Sequence, residues 1–442
     1  MNKNIVEYKT GGIRNMKELE ELFSLLEEGT SPYQVVSHTE DYLKKAGFFG
    51  LPFGEPWDLA LGEKYYVNHH GSTIFAFTMP ERAERMGDIR IAAAHTDFPC
   101  LRIKPNPDVK NASYAGVNVE VYGGAILNTW LDRPLSAAGR VAVKSGEILK
   151  PDIRYVDLKK PVFTIPNLAI HMNREVNKGV ELNKQIDMIP VFGMGTSFLS
   201  YLAKELSVKE EDILDFELYI YCAEKPLLVG GAEEFISSPR LDNLTSVAAL
   251  SRAICKAGRR NGLNVIALFD HEEIGSRTKQ GAGSFMLNEL LDKILLGMGM
   301  DPVAVKEAKY NSMMLSVDVA HALHPNQMGK MDITNQPVTG KGLCIKEACS
   351  QSYATDCEAI AVVQQLCEAK KIPYQKFVNR SDIPGGSTLG SIASALLPVK
   401  TVDIGLPLLA MHSARELMGK EDQKALCDCV REFFSVCQSG RK

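Results

Sequence analysis

A chain of 442 residues is longer than one hydrophobic core usually serves, so two domains are expected. Its 45% apolar and 24% charged residues describe an ordinary globular protein, and a net charge of −4 without basic clusters excludes nucleic acid and anionic membranes as main partners. No apolar stretch approaches the roughly 18 residues of a membrane span, and Met1-Asn2-Lys3-Asn4 opens no signal-peptide core, so a cytoplasmic location is expected.

Leu19, Leu22, Phe23 and Leu26 recur at helical spacing within residues 16–28. A second helix opens with Ser31 as N-cap and Pro32 at its first position, and Gly47 stops it. Tyr65 to Asn68 and Thr73 to Phe77 are β-rich arms around His69-His70-Gly71, a hairpin. The apolar run Ile91 to Ala94 then ends at His95-Thr96-Asp97. From about Cys100 to Glu234 the texture changes to short alternating segments such as Val117 to Val121 and Arg140 to Val143, separated by Gly-Gly, Ser-Gly and Pro; that is a β-rich unit. Leu244, Val247, Leu250 and Ile254 give the next helix one apolar face, with Gly258 at its C′ position. Strand and helix alternate from there: strands at Val265, Met313, Tyr374 and Val399, helices over about Met286–Leu296, Thr355–Lys370, Thr388–Leu396 and Lys420–Cys437.

This alternation predicts an α/β fold, a mostly parallel central sheet with helices on both faces. The β-rich unit interrupts it, which gives a catalytic domain in two parts, 1–99 and 236–442, around an insert at 100–235. The ten cysteines form no C-x-x-C pair and suit small buried hydrophobes in a reducing compartment.

Chemistry gathers where apolar runs stop. Val265-Ile266-Ala267-Leu268-Phe269 runs into Asp270-His271-Glu272-Glu273, Met313 to Val317 runs into Asp318, and Val399 to Gly405 is followed by His412. Asp242 lies at a helix start. Carboxyl ends of parallel strands are where α/β sheets bind ligands. Mixed imidazole and carboxylate donors suit zinc, and also manganese or cobalt. On extended backbone His95 and Asp97 share a face, so the Asp97 carboxylate can bond the far nitrogen of a ligating His95. Asp242 is the best bridge between two cations, and Glu272, beside Glu273, suits proton transfer.

His95-Thr96-Asp97, Ser238-Pro239-Arg240-Leu241-Asp242-Asn243, Asp270 to Ser276, Asp318 to Asn326 and Met411 to Glu416 together resemble the successive motifs of the aspartyl-aminopeptidase and vacuolar-aminopeptidase family of dinuclear zinc exopeptidases. The resemblance covers nearly the whole chain. It implies two metal ions on His95, Asp242, Glu273, Asp318 and His412, with Asp242 bridging and Asp97 and Glu272 as the catalytic pair. It also implies peptide substrates and dimers, formed through the insert, that assemble into a dodecamer. Within the insert, Ile165 to His171 is similar to the segment whose histidine reaches a neighbouring subunit's site. Lys346 resembles a family lysine near the substrate, although on its own it reads as a surface lysine. Lys330-Met331-Asp332 departs from the Lys-His-Glu run of acid-specific members, so acidic and neutral N-terminal side chains both stay open. The competing readings are a dinuclear deacylase or carboxypeptidase on a related scaffold, and a catalytically silent shell.

Overall fold

The computed structural model describes residues 17–82, 89–258 and 261–436; Met1 to Asn4, the expected helix start at residue 16 and the expected helix end at Cys437 lie outside them. A nine-stranded sheet organises the molecule. In spatial order its strands are Phe49–Gly50, Lys64–His69, Thr73–Thr78, Asn264–Phe269, Arg90–His95, Met313–Val317, Lys400–Gly405, Leu343–Glu347 and Tyr374–Val378.

The four central strands are parallel, as the strand-helix alternation requires. Asn264–Phe269 and Arg90–His95 are buried at every residue, and their side chains alternate between two cores. Ile266 and Leu268 pack with Val247, Leu250, Val363 and Val430 on one face. Val265, Ala267 and Phe269 pack with Leu287, Leu290, Leu291 and Leu389 on the other. Both faces are thus covered by helices, which is why these strands read as unbroken apolar runs.

Within this mostly parallel sheet three pairings are antiparallel. Thr73–Thr78 joins antiparallel because a tight hairpin links it to Lys64–His69. Leu343–Glu347 runs antiparallel to Lys400–Gly405, since no α-helix intervenes between Val317 and Leu343 to return the chain to the opposite edge.

A second, six-stranded sheet is antiparallel throughout and takes all its strands from Cys100 to Cys222. It also holds a helix the alternation hides, Phe198–Leu206, capped by Ser197. A third, five-stranded sheet orders Leu227–Val229, Phe235–Ser238, Glu416–Gly419, Pro407–Leu409 and Ala320–His321. Leu227–Val229 falls within 100–235 yet pairs with Phe235–Ser238, whose other neighbour is Glu416–Gly419.

Local signals account for most helix ends. Ser31 accepts from the Tyr33 amide with Pro32 at the first position of Pro32–Lys45. Asp356 caps Cys357–Lys370, two residues beyond the expected start. Asp301 with Pro302 opens Pro302–Tyr310, a helix the spacing of apolar residues does not announce.

Candidate metal centre

The central strands deliver their last residues to one edge of the sheet. His95 ends its strand, Asp270 to Glu273 follow Phe269, Asp318 follows Val317, and His412 lies in the turn after Pro407–Leu409. Asp242 comes from another element, the head of the helix Leu241–Lys256. Arg240 before it is left-handed, with φ of 61°, and Asp242 itself is not helical, so its carboxylate turns to the imidazoles instead of capping the helix.

One carboxylate oxygen serves each imidazole. Asp242 Oδ1 lies 3.4 Å from His95 Nε2 and Asp242 Oδ2 lies 3.3 Å from His412 Nε2. Asp318 Oδ1 completes the first group at 3.5 Å from His95 Nε2, and Glu273 Oε2 the second at 3.5 Å from His412 Nε2. Donor atoms of His95, Asp242 and Glu273 fall within 4.8 Å of one another.

The support around these residues differs from expectation at Asp97. His95 Nδ1 donates to the Asp97 backbone carbonyl at 3.0 Å, and the Asp97 carboxylate is farther, at 3.4 Å. That carboxylate is occupied by the Glu272 and Glu273 amides, at 3.1 and 3.2 Å, and by the Tyr122 hydroxyl at 2.7 Å. Asp97 thus holds the turn that presents both glutamates. Glu416, fully buried, does the same on the other side, accepting from the Asp242 and His412 amides at 3.0 and 2.8 Å. Tyr122 was not singled out in the sequence, because it meets Asp97 from another strand, and Glu416, although inside the Met411 to Glu416 motif, was given no role there because its partner Asp242 lies far away in the chain. His271 and His412 are left-handed, with φ of 63° and 67°, strain that persists only where surroundings over-determine the backbone.

Charge is out of balance here. Burial pushes the Glu272 carboxyl up to about 8, with the charges of Asp318, Asp97 and Asp242 adding and His95 opposing. Burial and Asp242 push Glu273 well above the usual carboxylate range. Burial disfavours charge on the imidazoles too, yet Asp242, Asp318 and Asp97 hold His95 well above its ordinary value, and Asp242 and Glu273 hold His412 up at about 10. Asp242 stays low, because the two imidazoles outweigh its burial. Asp242 Oδ1 is buried without a hydrogen-bond donor. Surplus buried carboxylate, an orphaned acceptor and imidazole nitrogens aimed at it form a donor set that divalent cations, zinc above all, satisfy.

The family model for aminopeptidase I zinc metalloproteases (M18) matches residues 25–434. The chain belongs to this M18 family. Over 429 residues it is 43% identical to a probable M18 family aminopeptidase 2 of Clostridium novyi, covering 95% of this chain and 99% of the relative. Over 458 residues it is 38% identical to aspartyl aminopeptidase 4 of Saccharomyces cerevisiae, with 94% of each chain covered. The structure of the S. cerevisiae mApe1 dodecamer superposes with a TM-score of 0.82 at 26% identity, over 94% of this chain and 95% of that one. This M18 chain is therefore a zinc metallo-aminopeptidase, a hydrolase.

Lys346 and His171, both brought forward by the family resemblance, are placed very differently. Lys346 is no surface lysine: it is 2% exposed, its Nζ lies 3.7 Å from Asp318 Oδ2, donates to Val319 O at 2.8 Å and sits 4.6 Å from the Tyr353 ring centre. His171 is exposed in an irregular stretch of the β-rich segment, beside exposed Leu168, Ile170 and Met172. It makes no contact with the cluster among those described above. His321, inside the Asp318 motif, has its ring 6.0 Å from that of Phe377, and burial and the Lys346 charge hold its imidazole below the ordinary value.

Proposed function

We propose that the chain removes single residues from peptide N-termini at a two-cation centre, with His95, Asp242 and Asp318 holding one ion and His412, Asp242 and Glu273 the other. The observation that carries this reading is the split Asp242 carboxylate, one oxygen toward each imidazole. Zinc is the expected metal, and the same donors suit manganese or cobalt. Such a pair, when bound, supplies Lewis acidity to the scissile carbonyl and acidifies a water.

The chain's own residues handle the proton and the orientation. Glu272 takes a proton from the attacking water and returns it to the leaving amine; a carboxyl that burial makes more basic suits both transfers. Asp97 acts through others, fixing the His95 ring by its carbonyl and the Glu272 amide by its carboxylate. Lys346 adds a buried cation beside Asp318, which together with the yeast aspartyl aminopeptidase relative supports preference for an N-terminal Asp or Glu.

Residues 100–235 are proposed as an inserted dimerisation domain between catalytic parts 1–99 and 236–442, in a homo-oligomer built from dimers as a dodecamer. The antiparallel sheet confined to Cys100–Cys222 and the dodecameric yeast neighbour support this. A cytoplasmic place is supported by free cysteines, nine among the described residues, and no described helix is long and apolar enough to cross a membrane.

Glu272→Gln tests the assignment. It should keep its metal and lose about 10²- to 10⁴-fold in kcat, the usual share of a positioned general base. Metal analysis beside kinetics reads both, and near-normal turnover would remove Glu272 from the mechanism.

A further inference from the structure

The chain leaving the strand Tyr114–Tyr122 runs alongside the His412 turn. Tyr122 donates to Asp97, and two residues on, Gly124 O lies 3.3 Å from His412 Nδ1. The Ile126 amide donates to His412 O at 3.0 Å, and the Thr129 hydroxyl accepts from the Ala414 amide at 2.9 Å. The fit is close at both glycines. A Cβ on Gly124 would meet His412 Nδ1 at 3.1 Å; Gly123, with φ of 73°, would put one 3.2 Å from Glu273 Cβ.

The two halves of the centre are supported unequally. His95 ends a central strand and Asp318 follows another, and the His95 side chain is 1% exposed. His412 ends no strand. It sits in a left-handed turn after a three-residue strand, its side chain 31% exposed, and its conformation depends on what surrounds it. Glu416 holds the turn from below and residues 124–129 of the β-rich segment hold it from above. A histidine ligand whose second nitrogen donates to a carbonyl has its tautomer and ring direction fixed by that carbonyl.

Resting on the two-cation reading above, we propose that the run Gly124–Thr129 is the positioning element of the His412 half-site, so that the β-rich segment sets the affinity of the second cation. The ion on His412, Asp242 and Glu273 is then the weaker and more exchangeable of the two. The ion on His95, Asp242 and Asp318 is indifferent to this run.

The test is a titration of metal-free full-length protein with Co(II) against a competing chelator, read by Co(II) absorbance. Wild type should fill in two unequal steps. Gly124→Val should weaken the second step by about 10- to 100-fold, the usual cost of losing a ligand's outer partner, and leave the first unchanged. Thr129→Val should move the second step in the same direction by less, and it carries the expectation if the valine at 124 prevents folding. Metal-free variants should unfold at the wild-type temperature, which separates positioning from general destabilisation. Equal weakening of both steps, or a second step unmoved in Gly124→Val and Thr129→Val alike, overturns the proposal while leaving the two-cation reading intact. Wild type taking up fewer than two ions would instead overturn that reading itself.

Discussion

A buried lysine needs anions, and Lys346 has Asp318 at 3.7 Å and Asp403 on the adjoining strand. Burial opposes its charge, but those carboxylates outweigh it and raise its pKa, so it stays cationic. If that field selects an acidic N-terminal side chain, Lys346→Met should lower kcat/KM for Asp and Glu p-nitroanilides by about 10- to 100-fold more than for Leu and Ala substrates. Equal losses on all four would assign selectivity elsewhere. The sequence showed His95, Glu272, Glu273, Asp318 and His412 because each breaks or follows an apolar run, a contrast visible without coordinates. It could not show Lys346 buried, since its neighbour Asp318 comes from another strand. Nor could it show the Asp97 carboxylate spent on backbone amides, because extended spacing says which face a side chain takes and not which donors wait there.

Among the elements, the reversed strand Leu343–Glu347 is the least legible, for direction is set by the connection and not by composition. The reversal places Ile345 against Ile404, so Lys346 adjoins Asp403 one layer below the sheet edge. Asp403 accepts from Ser316 Oγ, Thr388 Oγ1 and the Ala354 amide at 2.5, 2.7 and 2.6 Å, tying its strand to two loops. Burial still pushes its carboxyl up to about 6, with Lys346 and these hydroxyls opposing. Folding therefore favours the protonated acid. The contribution of Asp403 to stability is greatest below about pH 4 and falls by on the order of 3 kcal/mol as pH rises to about 6. Denaturant unfolding of wild type and Asp403→Asn across pH 4.5 to 7 should show this slope in the first and a flatter one in the second. Parallel slopes would mean the acid is ionised throughout. The four central strands and their helices were plain in the alternation of apolar and polar runs, whereas the third sheet, gathered from three distant segments, has no local signature.

At the scale of the whole molecule, His171 is exposed in the β-rich segment and open to a neighbouring copy. If it completes a neighbouring subunit's site by donating to the substrate carbonyl, His171→Ala should lower kcat by about 10²- to 10³-fold with both cations bound. Mixing His171→Ala with Glu272→Gln subunits under conditions of proven exchange should then restore part of the activity. No recovery would confine His171 to its own chain or to no site. The Asp242 carboxylate has a consequence of another kind. On the proposed two-cation reading each cation it would share is, in polymer terms, a cross-link, one fastening positions 95, 242 and 318 and the other 242, 273 and 412. A ligand confined to the folded state adds about 2.7 kcal/mol at a hundred times its Kd, and here that gain is spread over most of the chain's length. Chelator-treated protein should accordingly be cut faster by a serine protease than the zinc-loaded form, and equal rates would show the ions to be bystanders to folding. A chain stitched in this way would have a lifetime that reports its metal supply, so that zinc starvation would remove the protein itself and not only its activity.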